Sequence, residues 1–165
     1  MTTYAVTAVG PDAPGEVAAL AEALASLGAN LEDASMTRLR GHFAMTLVAA
    51  ADVPLAAVEA TMAQVSRASG LHVSVWDVDA DAPPTVTGSP WLVTLHGADR
   101  PGIVAGVTRA LAEVGANITD LSCRLVGDLY VMTLEVEAAG PLDLTDVAAG
   151  LGVSVHVAPA DEDVL

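Results

Sequence analysis

The sequence predicts an α+β chain of two βαββαβ units in tandem, each a four-stranded antiparallel sheet with two helices on one face. Three observations predict it. Gly10-Pro-Asp12-Ala13-Pro14-Gly15, followed by Gly28-Ala-Asn30, returns 87 residues later as Gly97-Ala-Asp99-Arg100-Pro101-Gly102, followed by Gly115-Ala-Asn117. The register holds without a gap from Tyr4/Trp91 through Val6/Val93, Leu24/Leu111 and Asp33/Asp120 to Leu47/Leu134. Around each copy, strand-like and helix-like apolar spacings alternate in the same order. Two copies are too few for a solenoid, so each is expected to bury its own core. The expected layout is one domain over 1–79, a linker over 80–90, a second domain over 91–160 and an acidic tail at 161–165.

Residues 4–9 and 91–96 are short β-rich apolar runs that enter a glycine, as a buried strand ending in a turn does. Pro14 and Pro101 are expected at the first helical position, where proline loses no hydrogen bond. Val17, Leu20, Leu24 and Leu27 then fall at helical spacing, as do Ile103, Val104, Val107, Leu111 and Val114 in the second copy. Gly28 and Gly115 are expected to stop those helices in the left-handed conformation. Strands follow at about 30–39 and 117–126, turns at Arg40-Gly41 and Gly127-Asp128, and return strands at about 43–50 and 129–137, which makes a hairpin in each copy. A second helix is expected at 54–68 and a shorter one at 143–150, with closing strands at 71–78 and 152–158. This order is the ferredoxin-like split βαβ arrangement.

Between the copies, Asp79 to Pro90 contains adjacent prolines that stiffen the segment and block a helix. Asp77-Val-Asp79-Ala-Asp81 imitates the opening of a calcium loop, but Ala82 and Gly88 stand where that loop needs Gly and Glu. Calcium is therefore not expected.

Composition narrows the function classes. At 165 residues, 53% hydrophobic and 16% charged, the chain can bury a substantial core. A mean hydropathy of +0.52 rests largely on Ala and Val, and no apolar run approaches the roughly 18–20 residues of a membrane span. Met1-Thr-Thr-Tyr4 shows no basic region leading into an apolar stretch, so the expected compartment is the cytoplasm. The single Cys123 excludes an intramolecular disulfide and is read as a small strand or core residue. Six Arg and no Lys stand against 21 acids, a net charge of −15 shared evenly by the halves. A phosphate backbone is held by clustered cations, so direct nucleic-acid binding is not expected.

Strand, Gly-Ala-Asp-Arg-Pro-Gly-Ile-Val at 97–104, helix, then Gly-Ala-Asn-Ile-Thr-Asp at 115–120 resembles the ACT domain, a regulatory module of amino-acid biosynthetic enzymes. The first copy departs from it with Ala13 in place of Arg and Glu16 in place of Ile, while Gly28-Ala-Asn30-Leu31-Glu-Asp33 fits. Two such units and little else resemble the glycine cleavage system transcriptional repressor family, whose members lack a catalytic or DNA-reading domain. The resemblance implies an amino-acid sensor, not an enzyme, that acts on a regulatory protein partner, with a homodimer expected and no cofactor.

The loop chemistry suits that ligand. A helix N-terminus presents unpaired N–H groups and partial positive charge, so amides around Arg100, Pro101, Gly102 and Ile103 can receive a carboxylate without Lys. Gly97 and Gly102 are expected to admit a ligand close to the backbone; Asp99 or loop carbonyls would accept from its ammonium, and Asn117 offers a donor and an acceptor. In ACT domains the loop of one module faces the asparagine strand of another. By that resemblance, Gly97, Asp99 and the 100–103 amides pair with Asn30 and Leu31. Gly10, Asp12, Ala13, Gly15 and the neighbouring amides pair with Asn117 and Ile118. The second loop is expected to be the better site, because the Glu16 carboxylate competes with a ligand carboxylate at the first.

Other readings of the same residues stay open. Asp12 and Asp99 also suit plain helix caps, and Asn30 and Asn117 suit backbone satisfaction at a turn. His42, His72, His96 and His156 share no metal spacing, and neither a nucleophile elbow nor a phosphate loop is present. A ligand-free dimerisation module, or a regulatory subunit of an amino-acid-metabolic enzyme, remains the alternative to a sensor.

Overall fold

In a computed structural model, residues 1–79 and 88–160 are described. The chain divides into two compact units, Met1–Ala82 and Pro83–Leu165. Most of the expected linker, the Asp81 to Gly88 part of the calcium-loop imitation apart from Gly88 itself, and the acidic tail lie outside the described residues.

The first unit runs β1 (Thr2–Pro11), α1 (Glu16–Ser26), β2 (Asn30–Leu39), β3 (His42–Ala51), α2 (Leu55–Ser69) and β4 (His72–Val78). The second repeats it as β5 (Ser89–Ala98), α3 (Ile103–Glu113), β6 (Asn117–Val126), β7 (Leu129–Ala138), α4 (Thr145–Leu151) and β8 (Val153–Pro159). The sheets have strand orders β2-β3-β1-β4 and β6-β7-β5-β8, antiparallel throughout. Each unit is thus the ferredoxin-like βαββαβ fold.

The repeat extends to strand register. Val6 lies opposite Leu47 and Val93 opposite Leu134; Gly10 lies opposite Phe43 and Gly97 opposite Tyr130. Even the irregularities repeat, with register shifts between Leu31/Asp33 and between Ile118/Asp120. Because strand side chains alternate faces, equal register puts equivalent residues on the helix side of each sheet. There Val6, Leu20, Leu24, Phe43, Leu47 and Met62 form one core, and Val93, Val107, Leu111, Met132 and Leu134 form the other. Each such side chain contributes about 1.5–3 kcal/mol on burial.

Two sequence expectations change here. The helices start two residues after Pro14 and Pro101, not at them, because Gly15 (φ +97) and Gly102 (φ +95) intervene as left-handed N-caps. The first helical hydrogen bonds run from Ala19 N–H to the Gly15 carbonyl and from Gly106 N–H to the Gly102 carbonyl, each 2.8 Å. That start sets which stripe is buried. Positions 16, 20 and 24, and 103, 107 and 111, form one row four residues apart, so Val17 and Val104 are exposed and Glu16 falls on the core-facing row. The helix ends are as expected: Gly28 and Gly115 both adopt φ +70.

Candidate functional site

The β1–α1 and β5–α3 loops carry the predicted residues, and the glycines in them divide by role. A Cβ on Gly97 would stand 2.9 Å from Val153 Cγ1, and one on Gly10 would stand 2.9 Å from Leu71 Cδ2. Val153 of β8 and Leu71, the residue just before β4, fill that space, so these two glycines make room where the closing strand of each sheet begins. Gly15 and Gly102 differ: nothing lies within 4 Å of where their side chains would be. Neither helix start receives a hydrogen bond from a capping side chain. Asp12 and Asp99 are therefore not the caps that one reading of the sequence allowed, and both N-termini keep their backbone donors uncapped by side chains.

In the first unit, Asp12 is tied to its own hairpin. Its backbone N–H donates to the Gly41 carbonyl at 3.3 Å, and Arg38 Nη1 donates to Oδ2 at 3.5 Å. Behind it lies a cavity of about 440 Å³, walled by α1 from Gly15 to Ala21 and floored by Met36 and Phe43. Glu16 lines it and is only 8% exposed. Among the described residues, no hydrogen bond or ion pair engages the Glu16 side chain.

In the second unit the equivalent positions carry different chemistry: Ile103 for Glu16, Cys123 for Met36 and Tyr130 for Phe43. Ile103 is buried. Tyr130 lies beside Cys123, and burial, the neighbouring Cys123 thiol and the nearby Asp99 charge push its pKa up to about 12. It therefore stays a neutral hydroxyl beside Asp99 at any ordinary pH. The Arg100 side chain reaches α4: its Nη1 lies 3.0 Å from where a Cβ of Gly152 would stand, at the left-handed end of that helix. A cation there complements the helix C-terminus. The backbone around 100–103, not the guanidinium, is left as the anion-receiving part.

Within one module, loop and asparagine stay apart. Gly10 lies opposite Phe43 and Asn30 opposite Ala50, seven residues along β3, a separation of about 24 Å at strand rise. Asn117, opposite Glu137, stands equally far along β7 from Tyr130 and Gly97. Asn30 and Leu31 are exposed, whereas Asn117 and Ile118 are half-buried. Sequence reasoning missed the cavity residues Met36 and Phe43 and the neighbouring pair Cys123 and Tyr130 at the equivalent positions. The same 87-residue offset that aligned the loops would have found them.

Among the described residues, no cluster of His, Cys, Asp or Glu is placed to hold a metal, and no helix is long and apolar enough to cross a membrane.

Comparison with known proteins gives the fold a family. A UPF0237 protein of Methanopyrus kandleri is 48% identical over 59 residues, 36% of this chain; the match spans 61% of that relative's length. An unknown protein from Galdieria sulphuraria superposes with a TM-score of 0.80 at 25% identity, over 97% of this chain and 99% of that one. A candidate glycine cleavage system transcriptional repressor superposes with a TM-score of 0.72 over 95% and 96% of the two chains, and at 16% identity that likeness shows the fold. The ACT domain family profile matches residues 2–76 and 89–157, one match to each βαββαβ unit. The chain belongs to the ACT domain family, as a tandem of two modules.

Proposed function

We propose that this protein is a non-enzymatic amino-acid sensor whose working site is the β5–α3 loop. The observation that carries the reading is the start of α3, where Gly102 at φ +95 opens a helix that no side chain caps. An α-carboxylate fits the amides of Gly102 and Ile103, and Asp99 supplies the acceptor for an α-ammonium. Since loop and asparagine of one module lie about 24 Å apart, Asn30 and Leu31 come from another module, in the same chain or in a second copy. Glycine and serine are the first candidates, with glycine or one-carbon metabolism as the pathway controlled. The first loop, with Gly10, Asp12, Ala13 and Gly15 facing Asn117 and Ile118, is the weaker amino-acid site because of Glu16.

A bound amino acid that favours one packing of modules over another changes the surface offered to a regulatory protein partner in the cytoplasm, without contact to nucleic acid or membrane. The ten-residue edge strands β2 and β6 have one side unpaired within their sheets, which favours a homodimer through strand addition. A thermal-shift screen of the twenty amino acids at millimolar concentration tests the reading. A rise in melting temperature with one or two of them, abolished by Asp99→Ala and by Asn30→Ala, is expected. No rise with any amino acid favours the ligand-free dimerisation module instead.

A further inference from the structure

His96 and His156 lie 60 residues apart in the sequence, and the second sheet makes them neighbours. In the β5–β8 ladder, Thr94 stands opposite His156 and His96 opposite Ser154. Residues two apart on a strand share a face, so the four occupy the corners of one square on one side of the sheet. His96 and His156 are its diagonal, about 7–8 Å apart and somewhat closer at Cβ. The face is the one turned away from the helices, since the alternate residues Val93, Leu95, Val153 and Val155 pack with the core. Both histidines are exposed, and among the described residues no hydrogen bond or ion pair engages either imidazole. In the first unit, Val9 and Ser74 hold the matching register positions, so the pair belongs to the second unit alone.

We infer that His96 and His156 form a two-histidine site for a borderline divalent transition metal, with zinc as the representative ion. Neutral imidazole suits zinc, copper and nickel, and binds zinc through a ring nitrogen at about 2.0–2.1 Å. Two imidazoles on diagonal positions of adjacent strands can close on one ion between them, and the hydroxyls of Thr94 and Ser154 can hold its coordinated water. The described residues include no group of three His, Cys, Asp or Glu placed to hold a metal. Two protein ligands therefore leave the remaining positions open to water or to a small chelating ligand. The charge around the pair favours a cation: exposed Asp120 and Glu135 stand opposite each other on the same face, in a chain of net charge −15. An ion held by both histidines ties the edge strand β8 to β5 in addition to their backbone pairing. The inference is independent of amino-acid binding at the start of α3.

The test titrates the full chain with zinc chloride near neutral pH in a buffer free of amino acids, following the imidazole signals of His42, His72, His96 and His156 by ¹H–¹⁵N NMR. Magnesium chloride, which favours carboxylates, controls for binding to the acids. Saturable changes at His96 and His156 together are expected, with none of comparable size at His42 and His72 and none with magnesium at the same concentration. His96→Gln and His156→Gln, both at exposed positions, are each expected to raise the zinc Kd at least about tenfold. No saturable change at the pair, equal changes at all four histidines, zinc binding centred on Cys123, or an unchanged Kd in either variant overturns the inference. Should a variant fail to fold, the ranking of the four histidines and of the two metals on the native chain decides by itself.

Discussion

Val153 fills the space that a side chain on Gly97 would take, its Cγ1 2.9 Å from the position of a Cβ and its Cα 3.2 Å away. A residue inside the most diagnostic loop of the chain is thus fixed by the strand pairing of Gly97 with Val153. Because backbone as well as side chain must give, Gly97→Ala is expected to destabilise the second module by about 1–3 kcal/mol. Gly10→Ala, against Leu71, is expected to do the same in the first. Urea unfolding of each variant measures this; costs below a few tenths of a kcal/mol would show that the strands shift freely.

Gly102→Ala separates conformational from steric cost. Nothing lies within 4 Å of the new methyl, yet φ is +95. The loss expected is about 1–2 kcal/mol from the left-handed backbone alone. Circular dichroism melts of Gly102→Ala and Gly102→Asn, a residue that tolerates this region, should rank Asn above Ala.

Arg38→Ala should do little to stability. The Arg38–Asp12 pair is long at 3.5 Å and its arginine is 68% exposed. A loss of no more than about 0.5 kcal/mol is expected, fading further in high salt. A loss several times larger, insensitive to salt, would place Arg38 in a role beyond this surface pair.

Tyr130 gives the pH dependence. Its pKa is raised from 10.0 to about 12, by burial first and by Cys123 and Asp99 after it. The folded state therefore holds the phenolic proton more tightly than the unfolded chain. That contribution to stability is complete below pH 10 and is lost as pH rises through about 12. Ultraviolet titration should show a tyrosine ionising near 12, and Tyr130→Phe should remove that step and flatten the stability curve above pH 10.

Much of the fold could be read from the sequence because the duplication supplied two versions of every element. Where Asn30 and Asn117 open their strands, and where Gly28 and Gly115 end their helices, local chemistry decides the structure, and both copies agreed. The sequence was less informative where distant segments meet. The role of Gly97 depends on Val153, 56 residues away, and the direction of Arg100 depends on Gly152. Glu16 was recognised as the departure at the first loop, but its burial follows from the helix starting after Gly15, which fixes the row to which position 16 belongs. Met36 and Phe43 carry no motif and become a cavity floor through sheet register alone.

The central claim is that the uncapped start of α3 receives an amino-acid carboxylate. Backbone ¹⁵N–¹H spectra of the full chain, recorded while glycine or serine is added, test it most directly. The account predicts saturable shifts at the amides of Arg100, Gly102 and Ile103 together with Asn30, lost in Asp99→Ala. Amides at 100–103 that do not move with any amino acid would contradict it.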